Sequence, residues 1–108
     1  MNNQERIKAL TELLAKDPDD SFSRYALALE YVGLGEPKNA IAALEDLLKR
    51  DARYVAAYHQ LGRLYSKTNN TAGAKKIYRQ GIELATETND LHEKTEMEEE
   101  LEEIEDEW

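Results

Sequence analysis

The chain has 108 residues, 41% of them apolar and 34% charged, and carries a net charge of −9. That length suits one domain burying roughly 65% of its unfolded surface, and the composition excludes disorder and a membrane class. With no cysteine there is no disulfide framework, thiol nucleophile or Cys-based zinc site. The opening MNNQERIKAL lacks the basic-then-apolar layout of a signal peptide, and no apolar run approaches a spanning length, so the expected location is the cytoplasm.

Charge is unevenly distributed. Residues 91–108 hold ten acids against Lys94 alone, whereas residues 1–90 hold 13 acids and 13 bases. The acidity belongs to one segment. A nucleic-acid ligand is not expected, because neutralising phosphates requires a basic surface.

In chain order, Asn3 to Lys16 places Ile7, Leu10, Leu13 and Leu14 on one helical stripe. Pro18 ends it, and Asp19 or Asp20 can cap the next helix. That helix, from Ser21 to about Val32, turns Leu27, Ala28 and Tyr31 inward and ends at Gly33 and Gly35. Pro37 opens the third, which runs to about Arg50 with Ala40, Ile41, Leu44, Leu47 and Leu48 inward. Two further helices are expected over about 53–67 and 71–87. Asn69–Asn70 supplies the turn between them, and Asn70 or Thr71 the cap. The last segment, 90–108, begins with the capping box Asp90/Glu93 and carries Leu91, Met97, Leu101, Ile104 and Trp108 on one face.

A period connects these segments. At a shift of 34, Leu61 lies over Leu27, Gly62 over Ala28, Tyr65 over Tyr31, Ala74 over Ala40 and Tyr78 over Leu44. Residues 8–17, KALTELLAKD, align in the same register with 42–51, AALEDLLKRD. At that spacing Thr95, Glu96 and Glu99 stand where Leu, Gly and Tyr should recur, so 90–108 reads as a helix of another kind, a polar end cap.

The order Tyr58, Leu61–Gly62, Tyr65, Ala74, Tyr78, Gly81 resembles the tetratricopeptide repeat, a helix–turn–helix unit of 34 residues. The resemblance covers about residues 5–88. It implies an all-α, superhelical (solenoid) fold of six helices: an N-terminal half-repeat (3–16), repeat 1 (21–54), repeat 2 (55–88) and an acidic C-terminal helix (90–108). The chain is also similar to short bacterial tetratricopeptide proteins that end in an acidic helix. The family's concave surface binds extended peptides, which implies a non-enzymatic interaction module for a protein or peptide partner. By helical phase its walls here are Phe22, Tyr25, Leu29 and Val32, then Ala56, His59, Arg63, Ser66 and Lys67. One end is apolar and the other basic, which suits a peptide with apolar anchors and an acidic group. The Lys/Asn clamp with which some relatives hold chaperone tails is not matched, since Tyr25 and Leu29 occupy first-repeat inner positions.

The alternative is a structural or weakly self-associating (homodimeric) subunit in which Met97, Leu101, Ile104 and Trp108 make the contact. The acidic helix also reads as a contact surface for a basic partner, or as a latch in the chain's own groove whose charge and stripe complement Arg63, Lys67 and Tyr25. No catalytic residue, cofactor or metal is expected. His92 and Glu96, four apart on one helix face, are a two-ligand fragment with no third ligand nearby in sequence.

Overall fold

A computed structural model describes residues 1–105. They form six helices: α1 (Asn3–Lys16), α2 (Ser21–Gly33), α3 (Pro37–Arg50), α4 (Val55–Lys67), α5 (Thr71–Glu87) and α6 (Leu91–Glu105). Among the described residues there is no strand, and no helix is long and apolar enough to cross a membrane. The chain divides into two compact units, Met1–Ala52 and Arg53–Trp108. Trp108, the last residue of the apolar face expected on the closing helix, lies outside the described residues.

In the first unit α2 packs against α3, and α1 packs on α2. Ala28 on α2 and Ala40 on α3 are fully buried beside Leu44 and Leu47; their small side chains leave room for the leucines. Two polar caps fix the start of the hairpin. Asp20 accepts from the Ser23 backbone N–H at 3.2 Å and from the Ser23 hydroxyl at 2.7 Å. The Ser21 hydroxyl donates to Asp51 at the far end of α3, 2.7 Å away. On α1, Ile7, Leu10 and Leu14 are half-buried, but Leu13 is exposed. A helix held on one side only has room for a narrower stripe than its sequence offers.

In the second unit α4 and α5 form the equivalent hairpin, and α6 packs along α5 with a narrower contact on α4. The core holds Ala74, Tyr78, Ala85 and Met97, with Tyr58, Tyr65, Ile82 and Leu101 packed around it. Close approach at two glycines builds this arrangement. A Cβ on Gly62 would lie 2.5 Å from the Tyr78 ring, and one on Gly81 would lie 2.7 Å from both the Met97 sulfur and the Tyr58 Cβ. Gly62 therefore admits Tyr78 between α4 and α5, and Gly81 admits Met97 between α5 and α6.

The chain reverses after α2, α4 and α5 by one device. Gly35, Asn69 and Asn89 all have positive φ (71°, 65° and 58°). The next residue in each case donates back across the turn, Glu36 to Tyr31, Asn70 to Tyr65 and Asp90 to Ala85. This is the six-to-one bond of a Schellman end, with asparagine standing in for glycine twice.

The closing helix requires a correction of register. Ser21 and Val55, which begin α2 and α4, are 34 residues apart, but α6 begins at Leu91, 36 after Val55. Helix α5 has 17 residues against the 14 of α3, and the connection after it, 88–90, is one residue shorter than 51–54, which leaves a net shift of two. Counted at 36, Leu61 is matched by Met97 and Tyr65 by Leu101. Helix α6 is thus the positional successor of α4, displaced by two residues, and a strict 34-residue comparison hides this.

Candidate functional site

Polar side chains converge where α6 meets α4 and α5 within the second unit. His59 sits mid-way along α4 and is only 4% exposed. Its Nδ1 lies 2.7 Å from Glu93 Oε2 and 3.7 Å from Glu96 Oε2. Its Nε2 lies 2.5 Å from Glu100 Oε2. One helical turn further along α4, Arg63 grips the same Glu100 at two points. Its Nε donates to Oε1 at 2.9 Å, and a terminal nitrogen donates to Oε2 at 3.1 Å. The Tyr78 hydroxyl, brought in from α5 by the space at Gly62, also donates to Glu100 Oε1, at 3.0 Å.

Local sequence explains the convergence. Glu93, Glu96 and Glu100 follow the three- and four-residue steps that align side chains on one helix face. The expected capping box at the start of α6 is only half formed. Asp90 accepts from the Glu93 backbone N–H at 3.3 Å, but the Asp90 N–H is already donated to the Ala85 carbonyl. With that donor engaged, the Glu93 carboxylate turns to His59 instead of closing the box.

The electrostatics are those of a partly exposed cluster around one buried imidazole. Burial pushes the Glu100 carboxyl up, but the hydrogen bonds from Arg63 and His59 outweigh it and leave Glu100 below the ordinary carboxylate value. The same carboxylate acts on its other neighbours. Its hydrogen bond holds the Arg63 guanidinium above its usual value, and burial with the nearby Glu100 charge drives the Tyr78 hydroxyl well above 10.0.

The remaining candidate residues fall in separate places. On α2, Phe22 is 72% exposed and Leu29 37% exposed, two turns apart on one face, with Tyr25 and Val32 half-buried along the same stripe. On α4, Lys67 and Ser66 are exposed and border an open depression with Glu103 and Ile104 of α6, and Ala56 is half-buried. His59 is enclosed by the chain's own α6, and Arg63, although half-exposed, is paired with Glu100. The basic end expected from the sequence is therefore largely neutralised from within. On α6, Met97 is fully buried and Leu101 and Ile104 are half-buried against the α5 core, so much of the expected contact face is used internally.

Sequence reasoning allowed the acidic helix to complement Arg63 as a latch, but it did not single out Glu93, Glu96 and Glu100 or their pairing with His59. Their i, i+3 and i+7 spacing was legible, but their target lies 34 to 41 residues away on another helix.

A family model for the tetratricopeptide repeat matches residues 31–93, more than half of the chain. The chain belongs to the tetratricopeptide repeat family. Among curated tetratricopeptide proteins, a TPR repeat-containing protein of Pseudomonas aeruginosa is 29% identical over 91 residues, covering 84% of this chain and 87% of that one. A tetratricopeptide repeat domain protein from Salinibacter ruber is 37% identical with a TM-score of 0.77, covering 82% of this chain and 90% of that one. The TPR2B domain of yeast Sti1, described in a complex with pHsp70, has a TM-score of 0.85 at 20% identity over 92% of this chain and 79% of its own. At that identity the last likeness shows a shared tetratricopeptide fold alone.

Proposed function

We propose that this tetratricopeptide protein is a non-enzymatic interaction module that takes an extended segment of a protein partner on the exposed apolar face of α2. The observation that carries the reading is the apolar stripe on α2. Phe22 and Leu29 stand exposed on one face with Tyr25 and Val32 beside them, whereas large side chains on the facing α3 side are buried. Exposed aromatic and aliphatic anchors on a rigid helix are what a partner's apolar side chains need. Partner-bound tetratricopeptide structures such as Sti1 TPR2B supply an analogy of fold only.

The expected partner chemistry shifts from the one read in sequence. Because Glu100 neutralises Arg63 and α6 encloses His59, recognition rests on the apolar anchors of α2. Lys67 on α4 is exposed and is tested by itself. Phe22→Ala/Leu29→Ala and Lys67→Glu would be compared with wild type in affinity capture, with circular dichroism checking that each is folded. Loss of a specifically retained protein in the α2 double variant supports the reading. Equal retention by all three proteins removes these helix faces from consideration.

A further inference from the structure

We infer that His59, Glu93 and Glu96 form a binding site for one divalent transition-metal ion of the zinc class, joining α6 to α4. The inference does not rest on the partner-binding reading, since its three ligands are distinct from Phe22, Leu29 and Lys67.

The three residues each offer one ligand atom, and these atoms lie within 4.8 Å of one another. One imidazole nitrogen and two carboxylates form a borderline donor set that suits zinc and its first-row neighbours better than magnesium or calcium. The spacing fits as well. Donors at about 2.0–2.2 Å around a tetrahedral ion sit ~3.3 Å from one another. The two carboxylate oxygens stand 2.7 and 3.7 Å from His59 Nδ1, on either side of that separation, so small opposite movements of Glu93 and Glu96 would complete three ligands.

The second nitrogen supplies an independent sign. Metal-binding histidines characteristically donate their other ring N–H to a carboxylate, which fixes the tautomer and aims the free lone pair at the metal. Here His59 Nε2 faces Glu100, and Glu100 is itself held by Arg63 and Tyr78. In the tautomer that donates Nε2–H to Glu100, the Nδ1 lone pair faces Glu93 and Glu96. Where two carboxylates meet a 4%-exposed imidazole nitrogen, a cation between them relieves the repulsion, and that cation is a proton or a metal ion.

Glu96 is the least satisfied member. It lies 3.7 Å from His59 Nδ1 and 3.5 Å from His92 Nε2 and closes a hydrogen bond to neither. The other charged groups around the imidazole are accounted for, since Arg63 is engaged by Glu100. A bound ion would stabilise the fold by mass action and tie α6 to the hairpin.

The full chain, stripped with a chelator and exchanged into chelator-free buffer, would be titrated with zinc chloride and separately with magnesium chloride. Calorimetry and thermal unfolding would be read together. The expected result is one saturable equivalent of zinc and a raised Tm, with no equivalent effect of magnesium. Glu96→Gln, at a half-exposed position with no hydrogen bond to lose, should remain folded and lose that equivalent. Glu98→Gln, on the exposed face of the same helix, should keep it. The inference is overturned if wild type shows no saturable site, or if Glu96→Gln binds zinc as wild type does. Equal losses in Glu96→Gln and Glu98→Gln would also overturn it, because they would indicate diffuse attraction to the acidic helix.

Discussion

At the scale of single residues, glycine serves two distinct purposes, and substitution separates them. Gly62 is needed for space, because a Cβ there would lie 2.5 Å from the Tyr78 ring. Gly62→Val should cost roughly 1–3 kcal/mol through overpacking, read as a lower denaturant midpoint with unchanged slope. Gly35 is needed for its φ of 71°, and a Cβ there would meet nothing within 4 Å. Gly35→Asn should fall within about 0.5 kcal/mol of wild type, and Gly35→Val should lose about 1–2 kcal/mol in equilibrium unfolding. If the asparagine variant proved as damaging as valine, the shared turn chemistry at Gly35, Asn69 and Asn89 would be refuted. Tyr78 predicts an alkaline effect. Burial and Glu100 raise its hydroxyl above the ordinary 10.0, so above that pH the unfolded chain loses a proton that the folded chain retains. The folded state then binds more protons, and stability falls as pH rises from about 10. Tyr78→Phe should flatten that fall in urea titrations at pH 9 to 11, whereas a slope identical to wild type would count against it.

At the scale of elements, α6 shows how a highly charged segment can still be part of a fold. Its single fully buried residue, Met97, fills the space at Gly81, and its glutamates pair with α4. Met97→Ala should cost roughly 2–5 kcal/mol. Hydrogen exchange should show the loss concentrated in α5 and α6, with the amides of α2 and α3 little changed. A uniform increase along the whole chain would contradict this. Helix α1 is the opposite case. It has no buried residue and its packing partner in the first unit is α2, so its amides should exchange fastest of the helical set.

At the scale of the whole molecule, the closing helix also bears on self-association. Met97 is buried and Leu101 and Ile104 lean on the α5 core, so of the apolar face of described α6 it is chiefly Leu91, 61% exposed, that stays open to a second copy. The expected mass by light scattering is that of a monomer, in metal-free buffer and with zinc. A dimer that dissociates in Ile104→Lys would support the self-associating subunit. The net charge of −9 acts in the same direction, since its excess is carried by residues 91–108 and like-charged surfaces resist association.

Periodicity and turn chemistry determined much of this protein from sequence alone. The 34-residue spacing of Leu61, Gly62, Tyr65 and Tyr78 with their counterparts identified the repeat, because helix packing demands small and large side chains at set positions. Pro37, Gly35 and Asn69 marked boundaries because their backbone preferences are local. Only the tertiary structure could assign Glu93, Glu96 and Glu100. In sequence they are three members of an acidic run, the signature of a solvated face. The two-residue displacement of α6 from the 34-residue period changes which of its residues meet α4, and there those carboxylates face His59 and Arg63. Charge partners on different helices depend on rotation and register between elements, which no local pattern records.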